Sequence, residues 1–139
     1  MRDRHKRLAT PCGRSWYDRA GNSVWRENVL AKADGANFDE LYAYDGLQRL
    51  QDMRRGALDA PKTGVTSLNF AQDWSLDATG NWSGFREDAD GNGTWDLDQN
   101  RTANRVNEIS DITETAGASW ATPVYDAAGT PESGRQMHR

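Results

Sequence analysis

Tyr42-Ala43-Tyr44-Asp45-Gly46-Leu47-Gln48-Arg49-Leu50 is the stretch on which the fold turns. Tyr42 and Tyr44 fall on one face of an extended chain, and Asp45 points to the other. Asp at the first position of a four-residue turn caps backbone N–H groups with its carboxylate, and a residue of positive φ closes the turn into a hairpin with a bulge. Leu50 then begins a return strand. A helix through this region also has some support, since Phe38, Leu41 and Tyr42 fit helical spacing. It fails further on: Asp45 and Arg49 would lie on the apolar face, and Gly46 would sit mid-helix at a cost of about 1 kcal/mol. The hairpin prevails. Gln48 stands where Gly is expected, so this turn must differ from its type or carry strain.

The same pattern recurs in Tyr17-Asp18-Arg19-Ala20-Gly21-Asn22, Leu76-Asp77-Ala78-Thr79-Gly80-Asn81 and Tyr125-Asp126-Ala127-Ala128-Gly129-Thr130. The four units start 27, 32 and 49 residues apart, and the last gap is wide enough for a degenerate or insert-bearing copy. Before the third turn, Trp74 and Leu76 share a face as the tyrosines do; Val24-Trp25 and Trp82 with Phe85 follow the first and third turns. Asn104-Arg105-Val106-Asn107-Glu108-Ile109 reads as a strand with a bulge. One hairpin is marginal alone, so repetition predicts a larger antiparallel sheet that stacking stabilises. The expected class is all-β: hairpin repeats over residues 15–129, a basic tail at 1–14, an acidic loop insert at 86–100, and a polar tail at 130–139. Unpaired strand edges predict marginal stability and association for the isolated chain.

Composition agrees. The 139 residues are 36% hydrophobic with 6 Trp, 4 Tyr, 3 Phe and 13 Gly, against about 45–50% apolar when Gly is counted in a typical domain. A thick aliphatic core is not expected, and short aromatic strands with tight turns are. The tryptophans Trp16, Trp25, Trp74, Trp82, Trp95 and Trp120 are expected to pack against a neighbouring sheet, with a sugar-stacking platform as the alternative. A net charge of -4 argues against a nucleic-acid partner; the basic run Arg2, Arg4, Lys6 and Arg7 reads as a solvated tail. Leu8-Ala9-Thr10-Pro11-Cys12-Gly13 is too short and polar for a signal-peptide core, and no stretch approaches transmembrane length. Cys12 is the single cysteine, and His5 and His138 lie in the tails. The commonest general base is therefore outside the repeat region. Gly91-Asn92-Gly93 lacks the lysine and the strand–turn–helix setting of a phosphate loop.

Taken with the trailing Arg55-Gly56, the second unit resembles the YD repeat of RHS-repeat proteins, whose pattern runs Tyr-x-Tyr-Asp-x-x-Gly-Arg-Leu. The first and third units look like the variant ending in Gly-Asn. The resemblance spans about Trp16 to Gly129. It implies an antiparallel β-strip that spirals into a shell, in large exported or surface-displayed proteins that often enclose a C-terminal toxin domain. It implies secretion or cell-surface display, and other repeats, protein surfaces or glycans as partners. The family's Asp-Pro-x-Gly-Leu processing region has no match here, so neither autoproteolysis nor cargo carries over. A truncated segment of a longer scaffold is the expectation.

The wide third gap holds Asp88-Ala89-Asp90-Gly91-Asn92-Gly93-Thr94-Trp95-Asp96-Leu97-Asp98-Gln99. Counted from Asp88, oxygen side chains fall at positions 1, 3, 5 and 9, with Gly93 at 6 and the Thr94 carbonyl at 7. That is the ligand order of an EF-hand calcium loop. The candidate ligands are Asp88, Asp90, Asn92, Thr94, Asp96 and Gln99, and calcium is the candidate ion. Gln99 replaces the bidentate Glu at position 12, and flanking helices are not evident. An acidic turn without metal is the competing reading, each carboxylate serving as a turn cap. Three functions follow: a non-catalytic scaffold or interaction segment, a small calcium-dependent binding module for a glycan or protein, or an acid/base hydrolase. The last needs two carboxyls converging roughly 5–9.5 Å apart, which nothing in the pattern suggests.

Overall fold

A computed structural model describes residues 8–10 and 13–131. Nine strands form one antiparallel sheet in chain order: β1 (Leu8–Thr10), β2 (Gly13–Tyr17), β3 (Ser23–Asn28), β4 (Asp39–Tyr44), β5 (Leu50–Leu58), β6 (Val65–Leu76), β7 (Trp82–Asp88), β8 (Leu97–Ala103) and β9 (Ile109–Ala116). The one helix among the described residues, α1 (Val29–Ala33), connects β3 to β4. The sheet is thus the all-β hairpin array expected. No helix among the described residues is long and apolar enough to cross a membrane.

The turns explain why the chain folds this way. At Asp18, Asp45, Asp77 and Asp126 the residue's N–H donates to the carbonyl four residues on (2.9, 2.9, 2.9 and 3.0 Å), and its carbonyl accepts from the N–H three residues on (3.2, 3.0, 3.1 and 3.0 Å). Each Asp Oδ1 also accepts the N–H groups two and four residues on, all at 2.9–3.0 Å. The fourth residue of each turn has positive φ: Gly21 89°, Gln48 63°, Gly80 92° and Gly129 76°. Gln48 therefore keeps the common turn and bears the left-handed conformation itself.

A fifth copy lies inside the wide gap. Asn104 makes the same contacts, from its N–H to the Glu108 carbonyl at 2.9 Å and from the Asn107 N–H to its carbonyl at 3.1 Å, with Asn107 at φ 63°. Its Oδ1 accepts from Val106 and Glu108 N–H. The Asn104–Ile109 stretch is consequently a turn entering β9 rather than the bulged strand expected, because Asn both caps an Asx turn and tolerates positive φ. Strand alternation puts all five turns at one end of the sheet. Neighbouring turns are joined by side chains: Asn22 donates to Gln48, the Arg49 guanidinium to the Asp77 carbonyl (2.7 Å), and Asn81 to Asn107 (3.0 Å). Tyr44 donates to the Ser23 carbonyl (2.8 Å), and Tyr125 accepts from the Ile109 N–H (3.0 Å).

The opposite end has no common turn. There β3 enters α1, whose N-cap Asn28 accepts from the Ala31 N–H. β5 and β6 are joined by a longer Asp59 turn with Lys62 at φ 64°, and β7 and β8 by the acidic loop. The expected boundaries shift accordingly. Leu8–Thr10 pairs with β2 inside the expected basic tail, and residues 1–7 lie outside the described part. Of the 86–100 insert only 89–96 is loop, since β7 runs to Asp88 and β8 starts at Leu97. Of the C-terminal tail, Pro131 bridges to Tyr125, and 132–139 lie outside the described residues.

Packing is thin. Among the described residues only Leu58, Ala71 and Phe85 are buried hydrophobics, fewer than the buried polar residues Glu27, Asp39, Glu40, Asp88 and Gln99. The tryptophans do not pack against a second sheet, since the described strands form one sheet. Instead four of them pack on one another along its faces, and Trp95 and Trp120 lie against arginines. On one face Trp82 stacks on Phe85 (centroids 5.3 Å apart) and Trp74 meets both; Leu50, Leu76 and Arg49 complete that groove. On the other, Trp16 and Trp25 are cross-strand partners stacked 6.4 Å apart. Such aromatic pairs add about 0.5–1.5 kcal/mol each beyond area burial. Trp82 and Trp120 keep 43% and 50% exposure and flank Arg101 from either side at 5.1 and 5.6 Å.

Candidate functional site

Asp88 is the last residue of β7 and is 2% exposed. Its carboxylate accepts three backbone hydrogen bonds from the loop it starts: Gly91 at 2.7 Å and Asn92 at 3.2 Å on Oδ1, and Gly93 at 2.8 Å on Oδ2. Burial alone would raise its pKa. The N–H groups of Gly93, Gly91 and Asn92 outweigh that and hold the carboxyl below its usual range. Gly91 and Gly93 take φ of 74° and 85° to make these bonds. Gly91 also lies flush on β6: a Cβ there would stand 2.4 Å from the Leu68 carbonyl oxygen and the Asn69 Cα. At the loop's far end, Asp96 Oδ2 accepts from Ala89 N–H at 2.7 Å, and Asp96 N–H returns to the Glu87 carbonyl at 2.8 Å. Trp95 is covered by the Arg86 guanidinium, 4.8 Å from the ring centre.

The loop gathers three of the six candidate ligands. One oxygen from each of Asp88, Asp90 and Asp96 lies within 4.8 Å of the others, a span that one Ca²⁺ with bonds of about 2.3–2.6 Å can bridge. Asn92 lies beside them: its amide donates to Asp90 Oδ2 (3.0 Å) and its Oδ1 accepts from Thr94 N–H (2.7 Å). Gln99 does not join. The register pairs Phe85 with Gln99 and Arg86 with Asp98, so Gln99 emerges on the face opposite Asp88. It is fully buried, its Oε1 accepts from the Arg101 guanidinium at 2.9 and 3.2 Å, and its Nε2 has no partner. A side-chain oxygen engaged by a cation on the far face cannot complete this shell. In the strand it is the pleat, not the linear ligand count, that decides position 12.

Sequence reasoning missed two buried acid clusters. Glu40 is held by Arg55 (2.8 Å), Arg26 (2.7 Å) and the Tyr42 hydroxyl. Burial pushes Glu40 up, but the Tyr42 hydroxyl and the two guanidiniums pull it below the usual range; Tyr42 is raised by its own burial and by Glu40. Glu27 pairs with Lys62 and, at 3.4 Å, Lys32, which also reaches Asp39 at 3.5 Å. Asp39 accepts from Asn28 N–H at 2.9 Å and Leu58 N–H at 3.4 Å, fastening the α1 connection to β5. Glu27, like Glu40, is lowered: its lysine partners overcome the burial that would raise it. The visible signal for Glu40 was the i, i+2 spacing to Tyr42; its arginines come from neighbouring strands, which spacing does not reveal.

No known protein-family model matches the chain, and a comparison with curated proteins finds no relative.

Proposed function

We propose that this chain is a non-catalytic β-repeat scaffold or interaction segment, of the kind built from RHS-type Tyr-Asp hairpins in secreted or surface-displayed proteins. The observation that carries this reading is the row of five turns with the same hydrogen bonds, each linked to the next. Such a ladder extends by adding units, and its stability grows from nearest-neighbour contacts. The face of Trp74, Trp82 and Leu50, with buried Phe85 beneath them, is a surface for a further repeat, another protein or a glycan. The buried acids support a structural role: Glu27, Glu40 and Asp88 are paired or capped and held ionised, whereas a general acid at neutral pH needs a raised pKa. Appending a duplicate of residues 39–58 after Pro131 should raise the urea midpoint of the whole sheet. An unchanged midpoint with independent melting of the added hairpin would refute the reading.

A calcium-dependent binding module is the second reading, favoured by the convergence of Asp88, Asp90 and Asp96. With Gln99 excluded, Asn92 and the Thr94 carbonyl are the remaining ligands, with water. Affinity is expected at the weak end, on the order of 10⁻⁴ to 10⁻³ M. Trp95 sits within the loop, so bound terbium should luminesce on indole excitation, calcium should quench the signal by competition, and Asp90→Ala should abolish it. Emission indifferent to Asp90→Ala leaves the loop as an acidic turn.

A further inference from the structure

Asn92-Gly93 is the single Asn-Gly pair in the chain, and it lies in the exposed part of the acidic loop. Asn-Gly is chemically fragile because glycine's main-chain nitrogen can reach the preceding side-chain carbonyl with little steric hindrance. Most folded proteins protect such pairs by rigidity. Here the hydrogen bonds place complementary groups on the nucleophile and on the electrophile's oxygen. The nucleophile, Gly93 N, donates its proton to Asp88 Oδ2 at 2.8 Å. The electrophile's oxygen, Asn92 Oδ1, accepts from Thr94 N–H at 2.7 Å, where negative charge would develop. The amide to be expelled, Asn92 Nδ2, lies 3.0 Å from Asp90 Oδ2.

We propose that Asn92 is a self-modification site whose amide is lost with the assistance of Asp88 and Thr94. Gly93 N attacks Asn92 Cγ while its proton passes to the Asp88 carboxylate. The resulting oxyanion is held by the Thr94 N–H. It collapses with cleavage of the Cγ–Nδ2 bond, and Nδ2 leaves as ammonia, taking up the proton that Gly93 gave. The five-membered imide then adds water across one of its two carbonyl carbons. Opening one way leaves aspartate at 92, a fourth carboxylate beside Asp88, Asp90 and Asp96. Opening the other way leaves isoaspartate, whose main chain runs through the β-carbon and loses the Asn92 turn. No oxidant, metal or enzyme is needed, since water is the only co-reactant.

The test is to age the full chain at neutral pH and follow the peptide containing Asn92 by mass and by chromatographic separation of its aspartyl and isoaspartyl forms. The parent chain kept unfolded in urea serves as reference. Modification at Asn92 should run several-fold faster in the folded chain than in the unfolded one. Asp88→Asn, which keeps the acceptor oxygen but removes the base, should bring the rate down to the unfolded value. A folded rate at or below the unfolded rate would overturn the proposal, whatever the variant does. So would an Asp88→Asn chain, folded by circular dichroism, that ages as fast as the parent. If the variant does not fold, the comparison of folded and unfolded parent decides alone.

Discussion

Gly56→Ala is expected to be among the most damaging single-methyl additions in the sheet. Gly56 sits in β5 beside an irregularity at which the register skips Asn69: Arg55 pairs with Phe70 and Gly56 with Leu68. A Cβ built on it falls 1.9 Å from the Ser67 carbonyl oxygen, 2.8 Å from the Ser67 carbonyl carbon and 2.6 Å from Val65 Cγ1. The shortest ordinary carbon–oxygen approach is about 3.3 Å, so the β6 backbone would have to retreat by roughly 1.4 Å. A backbone carbonyl inside a ladder cannot swing away as a side chain does. Overpacking costs about 1–3 kcal/mol, and breaking one ladder hydrogen bond adds about 1 kcal/mol, giving roughly 2–4 kcal/mol together. With a urea m-value of about 2 kcal/mol/M, the midpoint should fall by about 1–2 M. Urea unfolding followed by tryptophan fluorescence measures this, with Gly46→Ala as control. A Cβ on Gly46 would meet no heavy atom within 4 Å, and Gly46 does not adopt positive φ. Equal shifts for the two variants would refute the close approach of β5 and β6.

Gln48→Gly should stabilise the sheet by about 0.5–1 kcal/mol by relieving a side-chain-bearing residue of the left-handed conformation. The Asn22–Gln48 hydrogen bond that it removes is exposed; a lower midpoint would show that this bond matters more than the backbone. Acid should weaken the turn row in a defined window. Asp77 is held at about 2, chiefly by the Thr79 hydroxyl, against an ordinary value of 3.8; Asp18 and Asp45 are also lowered, first by the Asn22 side chain and by the Arg49 N–H respectively. Because these folded values lie below the unfolded ones, the stabilisation is present above the unfolded pKa and fades as pH drops toward about 2. Urea midpoints across that range should fall for the parent and stay flatter for the Asp18→Asn, Asp45→Asn, Asp77→Asn triple variant; parallel curves would contradict the linkage.

The strands and four of the turns were legible because their determinants are local. Asp in the first position and Gly in the fourth write the turn into six consecutive residues, and the alternation of Tyr42 with Tyr44 writes the strand. The fifth turn escaped because Asn104 and Asn107 do the same two jobs without either signature residue. Helix α1 escaped as well, since five residues capped by Asn28 present no periodicity, and the connection is fixed by Asp39 reaching Asn28 and Leu58. At the acidic loop the oxygen order was readable, and three carboxylates do converge. The displacement of Gln99 was not, because it follows from the β7–β8 register. Partners from neighbouring strands, such as Arg26 and Arg55 around Glu40, leave no trace in spacing.

The two ends of the sheet carry different evolutionary freedom. At the Tyr-Asp end each turn hydrogen-bonds its neighbour, so a residue inserted there disturbs two units at once. At the other end the connections 29–38, 59–64 and 89–96 share neither length nor conformation, and the strands between them keep their pairing regardless. Natural sequence drift, or a protein engineer grafting a peptide for display, would find the permissive positions along that one rim, with the ladder opposite holding the register constant.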